Sequence, residues 1–116
     1  MAFRFEDLQV WQKAMDLGEQ INLLAKSFPK EELYVLTSQI KRAADSVILN
    51  IAEGSTGQSK DVFKVFLSYS LRSAIEVVSC LFIAKRRGYI DDDLFSELYS
   101  EYEALVKMIT ALKKSF

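Results

Sequence analysis

The chain has 116 residues, of which 50% are hydrophobic and 27% charged, with one proline, four glycines, one cysteine and a net charge of −1. That is enough apolar material for one buried core and too little charge for a disordered chain, and the scarcity of turn residues argues against an all-β fold. No histidine occurs, which removes the usual neutral-pH general base and the commonest metal ligand, and a single cysteine cannot build an intrachain disulfide framework.

These absences predict a protein that is not an enzyme, with no catalytic residue, cofactor, metal or small-molecule substrate. Met1 to Phe5 does not read as a basic segment followed by an apolar run, so no signal peptide is expected and a cytoplasmic location is. Charge is uneven along the chain. Residues 55–88 hold six basic and two acidic side chains, a net +4, whereas residues 89–116 hold three and six, a net −3.

Breaks at Ser27-Phe28-Pro29, Gly54-Ser55-Thr56-Gly57 and Gly88 divide the chain into four segments of helical length. The first helix is predicted over about 6–26, with Leu8, Trp11, Met15 and Val10, Ala14, Leu17, Ile21, Leu24 at spacings of three and four. Gly18 inside it suggests a close helix crossing. The second is predicted over 30–53, opened by Pro29, with Glu31 and Glu32 at the positive end of the dipole and Gly54 as a left-handed cap. Its inner face is Leu33, Leu36, Ile40, Ala43, Val47 and Ile51.

The third helix is predicted over 60–87. Ser59 is its N-cap, and Lys85-Arg86-Arg87 precedes Gly88 at its end. Phe63, Leu67, Ala74, Val77 and Leu81 form its inner stripe. The fourth is predicted over 92–115, with Asp91 as N-cap, Asp92 and Asp93 in the first turn, and Leu94, Leu98, Leu105, Ile109 and Leu112 inside. Short links imply antiparallel neighbours, so residues 1–116 are expected to form a single all-α domain, an up-down-up-down four-helix bundle.

The second and third helices carry more apolar surface than one bundle can bury. Charge is confined to Lys41, Arg42 and Asp45 between Leu33 and Ala52, and to Lys64, Arg72 and Glu76 between Val62 and Ala84. Tyr34, Ile48 and Leu49, and Val65, Tyr69, Ile75 and Phe82, fall outside the inner stripes. They form a candidate interface for a homo-oligomer. A membrane span over 65–84 is disfavoured by Arg72 and Glu76 near its centre.

Beside the second helix's apolar stripe runs a polar one, Gln39, Arg42, Ser46, Asn50 and Glu53. The third helix offers Ser70, Ser73 and Glu76 with Arg72 beside them. Two readings stand: a groove that contacts ligand or RNA, and a buried hydrogen-bond network fixing helix register, the latter favoured. In either case Arg42 can pair with Glu53 or Glu76, and Arg72 with Glu76. Lys85, Arg86 and Arg87 form a candidate RNA-contacting patch, weighed against simple complementarity to the helix dipole; Lys41, Arg42, Lys60, Lys64 and Arg72 can extend it. Cys80 lies in the apolar stretch of the third helix and is read as a buried inert thiol.

The run Phe28-Pro29-Lys30-Glu31-Glu32-Leu33-Tyr34, followed by Gln39-Ile40-Lys41-Arg42-Ala43, Ser46 and Asn50-Ile51-Ala52-Glu53-Gly54, resembles a known family. So do Phe5-Glu6-Asp7-Leu8-Gln9-Val10-Trp11 upstream, and Ser73, Glu76 and Gly88-Tyr89-Ile90 downstream. Across nearly its whole length the chain is similar to the bacterial four-helix bundle proteins encoded in 23S rRNA intervening sequences. The resemblance implies a soluble bundle, typically a homopentamer, related to nucleic-acid-binding accessory proteins of diversity-generating retroelements. Carried onto this chain, the motif positions are Trp11, Pro29, Gln39, Arg42, Ser46, Asn50, Glu53, Gly54, Ser73 and Glu76. Ser70 stands where the family more often has alanine, and the near-neutral charge departs from the basic retroelement relatives. The expected function is a non-enzymatic oligomer that binds structured RNA or a ribonucleoprotein. The alternative is a protein-interaction scaffold without a nucleic-acid role.

Overall fold

Capping chemistry sets three of the eight α-helix ends in the computed structural model, which describes residues 2–116. Met1, the first residue of the segment read for a signal peptide, lies outside the described residues. Helix α1 spans Gln9–Ala25, α2 Leu36–Gly54, α3 Lys60–Arg86 and α4 Asp92–Lys114. No strand occurs among the described residues. Ser59 Oγ accepts from the Val62 N–H at 3.0 Å to open α3, and Asp91 Oδ1 accepts from the Leu94 N–H at 2.8 Å to open α4.

Helix α3 ends as expected at Gly88, whose φ of +77° is left-handed. The Tyr89 N–H reaches the Ala84 carbonyl and the Gly88 N–H reaches Lys85, the paired bonds of a Schellman motif. Gly54 behaves differently from the cap expected of it. It is the last residue of α2 with no positive φ, and a β-carbon there would stand 2.6 Å from Phe66 Cβ and 2.8 Å from Phe63 Cδ1. The glycine is required by helix proximity, not by backbone handedness.

Two helices start later than their periodicity predicts. Arg4–Asp7 is a 3-10 turn, and Leu8 is extended before α1 begins. Lys30–Glu32 is a second 3-10 turn, and α2 begins only at Leu36, after Val35 leaves helical geometry. As a consequence Leu33 and Tyr34 lie exposed on a connecting segment, not on a helix face.

The core is built from one stripe per helix. Val10, Ala14, Leu17 and Ile21 come from α1, and Leu36, Ile40, Ala43, Val47 and Ile51 from α2. Phe63, Leu67, Ala74, Val77 and Leu81 come from α3, and Phe95, Leu98, Tyr102, Leu105 and Ile109 from α4. The α4 stripe thus turns inward at Phe95 and Tyr102, while Leu94 is exposed.

Each helix packs on its sequence neighbours, and α4 closes against α1. The contacts run antiparallel. Ser46 meets Ser73 while Gly54 meets Phe66, and Phe82 meets Phe95 while Phe63 meets Phe116. Lys13 meets Glu101 while the start of α1 lies by Met108 and Leu112. The result is a rod of 43 × 23 × 23 Å.

Gly18 lets Ile48 approach α1, since a β-carbon there would lie 2.8 Å from Ile48 Cδ1. This removes Ile48 from the expected oligomer face: it is half-buried against the core. Helix α3 is long and apolar enough to cross a membrane by length and composition, but only 33% of its most apolar window is buried within the protomer.

Candidate functional site

The polar residues of α2 and α3 converge on a groove of about 670 Å³, lined by Ser38, Gln39, Arg42, Ser46, Ser73 and Glu76, with Tyr34 and Val35 at one end. Helical spacing places them there. Gln39, Arg42 and Ser46 sit at intervals of three and four, so they share one side of α2. Ser73 and Glu76 do the same on α3.

The floor is a short hydrogen-bond chain. Asn50 Nδ2 donates to Ser46 Oγ at 2.9 Å and to the Ser46 carbonyl at 2.9 Å, and Ser73 Oγ donates to Ser46 Oγ at 2.9 Å. One turn away, buried Ser70 Oγ donates to the Val47 carbonyl at 2.9 Å. Of these, the Ser73–Ser46 and Ser70–Val47 bonds tie α2 to α3 in one register, because a slip by one residue would break both and leave buried Ser70 unpaired, whereas the Asn50 bonds stay within α2. Ser46, Ser70 and Ser73 are the members of the stripe placed to fix register.

The charged members of the stripe do something else. Among the described residues, Arg42 makes no ion pair with Glu53 or Glu76, and Arg72 makes none with Glu76. Arg42 and Glu76 are exposed in the groove. Glu53 is exposed about two turns beyond it and does not line it. In place of the expected ion pairs, Arg42, Glu53, Arg72 and Glu76 are exposed to solvent, which avoids the desolvation cost of a buried pair.

The Lys85-Arg86-Arg87 run is divided by its surroundings. Lys85 lies over the Phe95 ring at 4.5 Å and 3.6 Å from Asp92 Oδ1. Arg87 Nη1 bonds Glu32 Oε2 at 2.9 Å. Arg86 alone of the three has no partner among the described residues. Arg42, Lys41 and Arg72 are likewise exposed and unpaired.

The Glu32 cluster had no signature in the sequence beyond residue type. Glu32 is only 7% exposed, and its Oε2 accepts from both Arg87 Nη1 and the Tyr89 hydroxyl, the latter at 2.7 Å. The Tyr89 hydrogen bond, helped by the Arg87 charge, holds the Glu32 carboxyl below its ordinary pKa, against the opposing effect of burial. The same bond raises Tyr89. Residues 55 and 57 positions away in sequence thereby pin the segment before α2 to the end of α3.

Chemical reactivity is low elsewhere. Cys80 is buried, and burial together with the Glu76 charge pushes its thiol up to about 11. Burial also raises Tyr102. Among the described residues no three acidic or cysteine side chains converge on a position that could hold a metal ion.

The apolar residues set outside the stripes are exposed apart from Ile48. Tyr34, Leu49, Val65, Tyr69, Ile75 and Phe82 are between 43% and 89% exposed. Phe82 also packs edge-on against Phe95 and Tyr99 of α4, at 4.8 and 6.1 Å between centroids.

No curated protein matches the chain. Among solved structures, a protein of unknown function from the S23 ribosomal protein family of Bacteroides thetaiotaomicron is similar in fold. It superposes with a TM-score of 0.84 at 24% identity, covering 90% of this chain and 98% of that one. The model of the 23S rRNA-intervening sequence protein family matches residues 6–111. With the match running from the turn before α1 to the last turns of α4, the chain belongs to the 23S rRNA-intervening sequence protein family.

Proposed function

We propose that this protein is a non-enzymatic, cytoplasmic homo-oligomer, of pentameric size, that binds structured RNA or a ribonucleoprotein through repeated cationic positions. One observation carries the reading: the outward face of α3 bears exposed apolar groups, Val65, Tyr69, Ile75 and Phe82, and an unpaired cation, Arg86, follows one turn beyond the last of them. Covering the apolar groups with sister copies brings equivalent cations into a ring. A single exposed arginine attracts RNA weakly, whereas several copies reached by one RNA gain avidity without any new contact.

The family's name ties it to 23S rRNA intervening sequences, which favours RNA as the nucleic acid in this reading. Net charge near zero is compatible with this, because residues 89–116 carry a net −3 while residues 55–88, which include α3, carry a net +4.

The test is fluorescence anisotropy with a labelled, base-paired rRNA fragment across a salt series. Affinity is expected to fall linearly in log–log form, with a slope that grows with the number of phosphates contacted. A slope near zero, or binding only to a protein partner, would contradict the RNA reading and favour a protein-interaction scaffold.

A further inference from the structure

The groove between α2 and α3 offers an unusual set of unsatisfied groups. The Arg42 guanidinium, the Glu76 carboxylate and the Gln39 amide all line it, and none has a side-chain hydrogen bond or ion pair among the described residues. Ser46 Oγ bonds both Asn50 Nδ2 and Ser73 Oγ. One hydroxyl proton is used between the two serines, and the other remains as a donor at the groove floor. Tyr34, 89% exposed, stands at the rim. A volume of about 670 Å³ lies within the roughly 300–1,000 Å³ of small-ligand sites.

We propose that this groove is a pocket for one unpaired guanine nucleotide of an RNA loop, with Arg42 on its phosphate, Glu76 on its Watson–Crick edge and Tyr34 stacked on its base. This rests on the RNA-binding reading above and names the recognition it performs. The argument is one of complementarity. A guanidinium takes a phosphate through a planar fork of donors. An ionised carboxylate only accepts hydrogen bonds, through two parallel oxygens.

Guanine alone among the four bases presents two adjacent donors, N1–H and the N2 amino group, on that edge. Adenine and cytosine set their amino donor beside a ring-nitrogen acceptor, and uracil flanks its N3–H with two carbonyls. Each of those would put a lone pair against Glu76. Gln39 and the remaining serine O–H are left to satisfy the ribose or the guanine carbonyl. Bases that protrude from RNA loops are recognised in this way, by stacking on an aromatic ring and hydrogen bonding along the exposed edge.

The pocket and the RNA reading are tested separately. For the pocket, the backbone amide resonances of α2 and α3 are followed by NMR while GMP, IMP or AMP is added to millimolar concentration. IMP lacks only the N2 amino group. GMP is expected to shift the groove resonances with an affinity about tenfold or more above IMP, the loss of one hydrogen bond to a charged acceptor. AMP is expected to bind more weakly than either. Glu76→Gln should collapse the GMP/IMP difference. Arg42→Met should weaken both nucleotides while keeping their ratio. Both positions are exposed, so circular dichroism should find the fold unchanged.

Equal affinities for GMP and IMP, or no shift with any nucleotide, overturn the guanine pocket and leave the salt test of RNA binding standing. For the RNA, an rRNA hairpin with one unpaired loop guanine is compared with the same hairpin carrying inosine there. A tenfold loss supports the assignment. Indifference to the replacement overturns it. GMP-selective shifts without binding of either hairpin assign the groove to a free nucleotide and overturn the RNA assignment.

Discussion

Replacing Gly54 with alanine tests how closely α2 and α3 approach, and Gly18 supplies an internal control. Both glycines lie in helices, where alanine is favoured by about 1 kcal/mol on propensity alone. At Gly18 the new methyl would meet Ile48 Cδ1 at 2.8 Å, the far end of a half-buried side chain that can rotate away. At Gly54 it would meet Phe66 Cβ at 2.6 Å and Phe63 Cδ1 at 2.8 Å. A β-carbon moves only with its backbone, and Phe63 is itself buried in the core. Overpacking of this kind costs about 1–3 kcal/mol. The propensity gain is also smaller at Gly54, which is the final residue of its helix.

The expected result is Gly54→Ala destabilised by about 1–2 kcal/mol and Gly18→Ala within about 0.5 kcal/mol of the parent. For a chain of this size that lowers the Tm of Gly54→Ala by roughly 4–8 °C. Urea unfolding followed by circular dichroism, at one fixed protomer concentration, measures both. Equal stability of the two variants, or a gain at Gly54, would refute the close crossing at the α2–α3 end.

Four further outcomes follow from the same geometry. Because Glu32 has a lowered pKa in the folded state, its contribution to stability is full above the unfolded value near 4.5 and is lost as pH falls through the folded one. Glu32→Gln should therefore flatten the acid limb of the stability–pH curve, and an unchanged limb contradicts the triad. Tyr89, raised by the same bond, contributes below its unfolded value near 10 and loses that contribution as pH rises through the folded one, so Tyr89→Phe should flatten the alkaline limb. Cys80 should resist an alkylating reagent at pH 8 in the native protein and react once urea unfolds it; native-state reaction at the unfolded rate contradicts its burial. Finally, Arg86→Ala should weaken RNA binding with unchanged stability, whereas Arg87→Ala should lower stability first. Chemical denaturation and anisotropy on the same samples separate the two.

Much of this was legible in the sequence because it depends on local chemistry. Ser59 and Asp91 cap helices through residues three positions away, and Gly88 needs only its own freedom to reach positive φ. The meeting of Gln39, Arg42 and Ser46 with Ser73 and Glu76 followed from helical spacing and one short link. What spacing does not encode is depth. The same wheel that set Arg42 beside Glu76 could not tell that both stay in water, nor that the α4 stripe centres on Phe95 instead of Leu94. Gly54 has the composition of a cap and the surroundings of a helix crossing, and only the position of Phe66 decides between them. The late start of α2 and the Glu32–Arg87–Tyr89 triad are linked in the same way: the triad anchors the 3-10 turn before α2 to residues far along the chain, a relation no local pattern carries.

Sedimentation equilibrium of the purified protein at low micromolar concentration tests the central claim most directly, because every multivalent property rests on the exposed apolar side of α3 that carries Ile75 and Phe82 being covered by other copies. A single species several times the 13.3 kDa protomer mass, dispersed toward smaller species by Ile75→Lys or Phe82→Lys, is the predicted result. A monomer that stays at protomer mass across the concentration range would contradict the account.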